Sequence, residues 1–330
     1  MLARIAHELF WLGRDLTRAE HTARTLDGAF HADVAGVPEE RSISLSWDAV
    51  LTIIGGKPSM TGTEKSELAA IEPAVLESVP LGRTDTARLL SLDAESPASI
   101  VSCVARARER GRTLRDVISS EMWQALNSFY LSLPSDDLFA TRHGAPYTFY
   151  RYTKERCALF WGLVDRTMLH DEGRAFLEAG ARIEQADMVL RMLRVTVPEE
   201  AGGDGYQTEA VALLRAVGGA QAYRRAARQD PTVVPVVRFL LYDNAYPGSV
   251  ASSVLALRDA LAGADAQPRS SPPVLRLGRL TAELELQRRT PDTSDTLHGV
   301  LEGVQQELSV IDRDIGERYF AIAALAAVHL

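Results

Sequence analysis

The 330-residue chain contains only two cysteines, Cys103 and Cys157, which stand far apart. They can form neither a disulfide framework nor a multi-cysteine zinc site, so a reducing compartment is the simplest inference. Lysine is scarce too, because 33 of the 36 basic residues are arginine. Two explanations stay open: fixed bidentate contacts with carboxylates or phosphates, and GC-rich codon usage.

Long apolar runs and a surplus of positive charge are also missing. No stretch approaches the ~20 apolar residues of a membrane-spanning helix, and charged side chains come too early in the chain for a signal peptide. The net charge of −8 argues against binding to nucleic acid or to an anionic membrane. We therefore predict a cytoplasmic protein with no nucleic-acid and no membrane partner.

Apolar residues from Leu2 to Phe30 follow one another at steps of three and four. This spacing is typical of a helix that packs along another helix, and strand alternation cannot produce it. No run of alternating β-branched residues occurs. Proline-free stretches long enough for one or two helices lie at 1–37, 98–133, 147–197, 199–230 and 292–330. The sequence predicts an all-α fold.

Three segments recur in the same order along the chain. The seam at 9–30 returns at 176–197, 167 residues later; segment 47–56 returns at 210–219, and 90–108 returns at 240–258. This pattern predicts an internally duplicated helical bundle. We expect residues 1–150 and 151–330 to be pseudo-two-fold related halves of one globular unit, with the two seam helices packed together.

Charged residues recur along both predicted seam helices. They are Arg14, Arg18, Glu20 and Arg24 on the first helix, and Glu184, Asp187 and Arg191 on the second. One interpretation is a set of salt bridges within and between these helices. In the other, the arginines converge on an anionic ligand or on a partner's carboxylates.

A second repeated element has the pattern Asp-x-x-x-Pro-x-Ser at 93–99 and 243–249. Ser99 and Ser249 are predicted to cap the helices that follow. Asp93 and Asp243 are expected to accept hydrogen bonds from the backbone of the turn, or to bind an arginine.

The usual catalytic patterns are missing from the sequence. It has no glycine-rich phosphate loop, no H-E-x-x-H, no C-x-x-C, and no paired Glu-x-x-His motifs for a di-metal site. The histidines show no ligand spacing. We expect no metal and no cofactor, and the sequence leans against catalysis.

Four segments resemble the alpha-E domain family, helical proteins named for a Glu-Arg pair. They are WLGRDLTRAEHTARTLD (11–27), ARERGRTLRDVISSEMWQALNSFY (107–130), FLEAGARIEQADMVLRMLRV (176–195) and FLLYDNAYPGSV (239–250). The resemblance covers essentially the whole chain. It implies a bacterial cytosolic protein whose gene commonly accompanies an ATP-grasp peptide-ligase-like protein and a transglutaminase-like protease, joined in some genomes by a proteasome-related peptidase.

The chain departs from the family pattern at the Glu-Arg pair itself. Thr17 stands where the glutamate would precede Arg18, and Gln185 stands where the arginine would follow Glu184. Each repeat has therefore kept a different half of the pair. An Arg18–Glu184 ion pair would form if the two seam helices are neighbours, and it would be structural or interface-forming.

Three functions follow as hypotheses. The first is a non-catalytic accessory protein that recruits an ATP-grasp ligase or presents its peptide substrate. The second is an enzyme that forms or cleaves amide bonds with Glu20, Asp187 and the arginines between the repeats. The third is a homo-oligomeric scaffold that docks through the apolar C-terminal residues 320–330.

Overall fold

The structure is a computed structural model that describes residues 1–34, 45–55, 83–133, 145–197, 207–227, 230–290 and 294–321. Within these ranges the chain forms thirteen α-helices and no strand, so the all-α prediction is confirmed.

The helices divide into two runs along the chain. The first run is α1 (Ala3–Val34), α2 (Trp47–Gly55), α3 (Arg83–Leu92), α4 (Ile100–Thr113), α5 (Ser120–Leu131) and α6 (Ala145–Thr167). The second is α7 (Glu172–Thr196), α8 (Gln207–Ala216), α9 (Ala220–Ala226), α10 (Val233–Tyr242), α11 (Val250–Ala264), α12 (Pro272–Gln287) and α13 (Ser294–Ile315). A 3-10 turn (Pro268–Ser270) precedes α12, and a π-helical turn (Gly316–Phe320) follows α13.

Helices α1 and α7 form the centre of the molecule and pack along each other, as their apolar seams predict. The seam residues of α1 from Leu9 to Leu26 are fully buried, and those of α7 from Phe176 to Val197 are at most 4% exposed. Leu2 departs from the expectation at 76% exposure, because it lies before the helix begins.

The two central helices touch backbone to backbone at a pair of glycines. A Cβ atom at Gly13 would overlap the carbonyl oxygen of Leu177, and one at Gly180 would overlap that of Phe10. Each glycine therefore meets the residue three positions before the other glycine. Such a reciprocal contact is what a two-fold axis between paired helices produces.

The same arrangement of neighbours occurs around both central helices. Helix α1 packs on α4 and α6, and α5 joins those two; α7 packs on α11 and α13, and α12 joins those two. In addition, α8 lies mainly against α1, and α2 mainly against α7. Each central helix is thus covered by helices from both runs.

The expected boundary between residues 150 and 151 falls inside α6, which is continuous from Ala145 to Thr167. Because α6 packs on α1 and α5, a division after Thr167 keeps the helix with its neighbours. The pseudo-two-fold relation of the two halves stays a prediction.

In the described ranges, no helix combines the length and the apolar character needed to cross a bilayer. At the C-terminal end, Phe320 packs against the rings of His7, Phe10 and Phe176. The rest of the apolar tail, residues 322–330, lies outside the described residues.

Candidate functional site

A wholly buried carboxylate lies where the two central helices cross. Glu184 of α7 has no exposed side-chain surface, and its two oxygens accept hydrogen bonds from two arginines of α1. Arg14 Nε donates to Oε2 at 2.9 Å, and Arg18 Nε donates to Oε1 at 2.5 Å. The Arg18–Glu184 pair considered from the sequence is therefore present, because α1 and α7 are neighbours. The structure adds Arg14 as a second partner.

The guanidinium of Arg14 also binds a second carboxylate, on α13. Arg14 Nη1 donates to both oxygens of Asp312, at 2.9 and 2.8 Å. The guanidinium carbon lies 4.6 Å from the centre of the Trp11 ring, so the two groups form a cation–π contact. Arg14 thus connects three helices: α1, α7 and α13.

A second buried carboxylate lies beside the first, between α1 and α4. The side chain of Asp15 is 3% exposed and accepts from Arg106 Nε at 2.9 Å and from Arg110 Nε at 3.0 Å. Arg110 Nη1 continues to Glu8 Oε2 at 3.0 Å. One turn of α1 therefore carries charged groups that hold α4 on one side and α7 on the other.

The electrostatics keep these groups ionised. Burial on its own raises the pKa of Glu184, but the charges of Arg18 and Arg14 and their hydrogen bonds outweigh it and lower the pKa to about 2. Burial opposes the charged forms of both arginines as well, yet the carboxylates raise their pKa values. A charge buried this deeply is costly unless it is paired, and here each charge has a partner.

His21 lies further along α1 and behaves in the opposite way. Burial lowers its pKa to about 4, with Glu20 and Glu184 opposing and Arg24 assisting the shift. Its Nδ1 atom is buried with no hydrogen-bond partner among the described residues. The imidazole is therefore neutral at physiological pH.

The remaining predicted residues on the central helices pair within their own helix. Arg24 binds Glu20 at 2.7 Å, and Arg191 binds Asp187 at 2.8 Å, each one turn apart. These are the salt bridges that the first interpretation predicts. None of the four bonds to Glu184, so the structure does not bring all the predicted site residues into one cluster.

The side chains of the two aspartates in the repeated turn accept hydrogen bonds from the backbone, which was the first of the two expectations. Asp93 Oδ1 accepts from Glu95 N, and Asp243 Oδ1 accepts from Ala245 N, both at 2.8 Å. The hydroxyl groups of the two serines cap the helices that follow and donate back to the backbone carbonyls of the aspartates. Ser99 and Ser249 accept from Ser102 N and Ser252 N at 3.1 and 3.0 Å, and each donates at 2.6 Å.

Sequence reasoning missed five of the eight residues of the charged network. The missed members are Glu8, Asp15, Arg106, Arg110 and Asp312. The i,i+4 spacing of Arg106 and Arg110 on one face of α4 is a signal that could have found these two arginines. In the part of the chain that the structure describes, no group of three or more histidine, cysteine or carboxylate side chains is placed to hold a metal ion.

Paired central helices tied by a buried Glu-Arg network define this chain as an all-helical protein with an ionic centre. Residues 1–320 match the sequence model of the Alpha-E family, described as a predicted alpha-helical domain with a conserved ER motif. The chain belongs to that family.

Similar proteins occur in mycobacteria. Uncharacterized proteins of Mycobacterium bovis and Mycobacterium tuberculosis are each 24% identical to this chain over 320 residues. The match covers 93% of this chain and 34% of each relative, so the chain spans about a third of their length. No solved structure matches the chain.

Proposed function

We propose that the protein is a non-catalytic helical partner of an ATP-grasp ligase-like protein in the bacterial cytoplasm. It would recruit the ligase or present its peptide substrate. The observation that carries this proposal is the mutual pairing of the charged groups at the centre, where Glu184 lies between Arg14 and Arg18.

A general acid or base needs a pKa near the working pH, so that it can exchange a proton during the reaction. The pKa of about 2 for Glu184 leaves it ionised throughout the physiological range. Its hydrogen-bonding capacity is directed at the two arginines, which supports a role in fixing α1 against α7.

The enzyme hypothesis requires Glu20 and Asp187 to act together between the repeats. Each carboxylate is instead bound by an arginine of its own helix, at 2.7 Å for Glu20 and 2.8 Å for Asp187. Such i,i+4 pairs are ordinary stabilising contacts of helix surfaces. This pairing favours a binding role over a catalytic one.

The length of the relatives supports a partner role as well. In the mycobacterial proteins the matching region is 34% of a longer chain. In those relatives the helical region occurs in one chain together with other regions. In the present protein the same kind of region would act together with a separate partner chain. The link to an ATP-grasp ligase itself comes from the family resemblance.

The test is co-expression with the ATP-grasp ligase-like protein that the family resemblance leads us to expect in the same gene neighbourhood. We expect the two to co-purify, and we expect ATP-dependent peptide ligation to rise when this chain is added. An ATP-grasp ligase from a locus without an Alpha-E protein is the matched control. Unchanged ligation together with no complex would rule out the proposal.

The oligomeric state should be measured in the same experiment by light scattering. A stable homo-oligomer that loses its subunit contacts when residues 320–330 are deleted, and that binds no ligase, would favour the scaffold hypothesis instead.

A further inference from the structure

The charged network consists of two similar units, each with one buried carboxylate between two arginines. In the first unit Glu184 lies between Arg14 and Arg18, and in the second Asp15 lies between Arg106 and Arg110. Each of the four arginines binds the carboxylate of its own unit through Nε. The terminal Nη groups are left for other partners.

The two units differ sharply between their outer and inner arginines. The outer arginines have a second carboxylate each: Arg14 binds Asp312, and Arg110 binds Glu8. The inner arginines, Arg18 and Arg106, have no second carboxylate among the residues that the structure describes. Positive and negative groups therefore alternate along the network except at one position, between Arg18 and Arg106, where an anion is missing.

The side chains of both inner arginines lie at the same turn of α1, and both still reach the surface. Arg106 binds Asp15, which precedes Arg18 by one turn of α1, and Arg106 Nη2 lies 3.2 Å from Cys103 Sγ. Burial raises the pKa of the Cys103 thiol to about 11, and the charges of Arg106 and Arg18 both act against that rise. Arg106 therefore contacts the thiol directly, and the positive charge of Arg18 acts on the same thiol.

Their terminal nitrogens have donors to spare. Among the described residues, the Nη groups of Arg18 bind no acceptor, and those of Arg106 contact only the Cys103 sulfur. The side chains keep 16% and 34% of their exposure. Neighbouring positive charges with unused N–H donors repel each other, and a bound anion would offset the repulsion.

We propose that Arg18 and Arg106 form a binding site for the carboxylate of a ligand, which completes the alternating network between α1 and α4. A carboxylate matches the planar edge of a guanidinium with two parallel hydrogen bonds. The surrounding network is already balanced, with four arginines against four carboxylates. A single negative charge therefore suits the position better than a doubly charged phosphate.

This inference goes beyond the proposed ligase partnership and does not depend on it, because the site is complete within this chain. Binding can be measured on the isolated protein, so failure of either proposal leaves the other standing.

The test is calorimetric titration of the full chain with N-acetyl-alanyl-alanine, with the C-terminal amide of the same dipeptide, and with inorganic phosphate. The variant is Arg106→Gln, since Asp15 keeps Arg110 as a partner and the fold is retained. Arg108→Gln is the matched control, because Arg108 lies on the same helix but binds Asn127 and Glu109. Circular dichroism checks the fold of each variant, and Arg106→Lys serves as a second variant.

We expect the acid to bind at millimolar concentration and the amide to bind at least tenfold more weakly. Arg106→Gln should weaken binding of the acid by about tenfold or more, since it removes charge-assisted hydrogen bonds. Arg106→Lys should weaken it by less, and Arg108→Gln should leave it unchanged.

Three results would overturn the proposal: no binding of the acid, equal binding of acid and amide, or wild-type affinity in Arg106→Gln. Tighter binding of phosphate than of the acid would overturn the assignment to a carboxylate.

Discussion

Helix α4 packs on α1 much as α11 packs on α7, but the two contacts are chemically different. Along the repeated segments, Asp15 corresponds to Arg182, while Arg106 and Arg110 correspond to Ala256 and Ala260. The first contact is therefore held by buried ion pairs, and the second places alanines at the same positions.

This difference shows that the helix arrangement does not require the charges. Helix α11 packs on α7 at least as extensively as α4 packs on α1, although Ala256 and Ala260 replace the two arginines. Buried ion pairs seldom stabilise a protein more than apolar groups of the same volume. The ionic contact is thus better explained by what it can bind or fix than by the stability it adds.

The first prediction concerns the carboxylate that links the two regions. Glu184→Gln removes the negative charge that Arg14 and Arg18 share. It leaves a buried surplus of positive charge. We expect the free energy of unfolding to fall by about 3–5 kcal/mol in urea denaturation. Glu178→Gln is the control, because Glu178 pairs with Arg174 at a partly exposed position, and its loss should be below about 1 kcal/mol. Equal losses in both variants would contradict the structural role of Glu184.

The second prediction concerns a feature that the two central helices share, the close contact of a glycine with the backbone of the facing helix. Gly13→Ala and Gly180→Ala each force a Cβ atom into a carbonyl oxygen of the facing helix. Overpacking of this kind costs about 1–3 kcal/mol, and we expect the upper end for both variants. Gly162→Ala is the control, since nothing lies within 4 Å of its Cβ position; it should be neutral or raise stability by about 0.5–1 kcal/mol. A large loss for one central glycine alone would argue against the reciprocal crossing.

The third prediction separates the ionic contact from its apolar counterpart. Asp15→Asn removes the buried negative charge that Arg106 and Arg110 share and replaces one of its two acceptor oxygens by an amide donor, so we expect a loss of about 2 kcal/mol in thermal or urea unfolding. The corresponding change, Arg182→Gln, should cost less than about 0.5 kcal/mol. Arg182 makes one side-chain hydrogen bond, to Gln185 on the same helix. Similar losses at the two positions would remove the distinction between the contacts.

The fourth prediction concerns acid. The pKa of His21 is about 4 in the folded chain, mainly because of burial, and about 6.5 when unfolded. Folding favours the neutral form of His21. Its contribution to the free energy of unfolding is therefore complete above pH 6.5 and is lost as the pH falls toward 4. Stability should decline there with a slope approaching about 1.4 kcal/mol per pH unit.

The matched variant for this measurement is His21→Met, because Met188 occupies the corresponding position on α7. Urea denaturation between pH 7 and pH 4 should show a flatter profile for His21→Met than for the wild type. Superimposable profiles would show that another group titrates.

The sequence predicted the parts of the fold that repeat along the chain. Steps of three and four between apolar residues predicted α1 and α7, and the recurrence of the first apolar seam in the second predicted that they pack side by side. The Arg18–Glu184 pair followed from that pairing. Asp312 could not be found in the same way, because it lies 298 residues from Arg14 and belongs to no repeated segment. Its contact depends on how α13 is rotated against α1, which sequence periodicity does not fix.

The smallest expected effect lies in the repeated turn, where the two regions are nearly identical. Ser99 and Ser249 each cap a helix and donate to the carbonyl of an aspartate six residues earlier. Replacing either serine by alanine removes the cap and leaves a buried backbone donor unpaired, which costs about 1 kcal/mol. Because the hydrogen-bond distances agree within 0.1 Å, we expect equal losses in thermal unfolding, and the double variant should show their sum. Unequal losses would show that the ionic surroundings of α4 alter even a backbone cap, and the two contacts would then differ in more than their side chains.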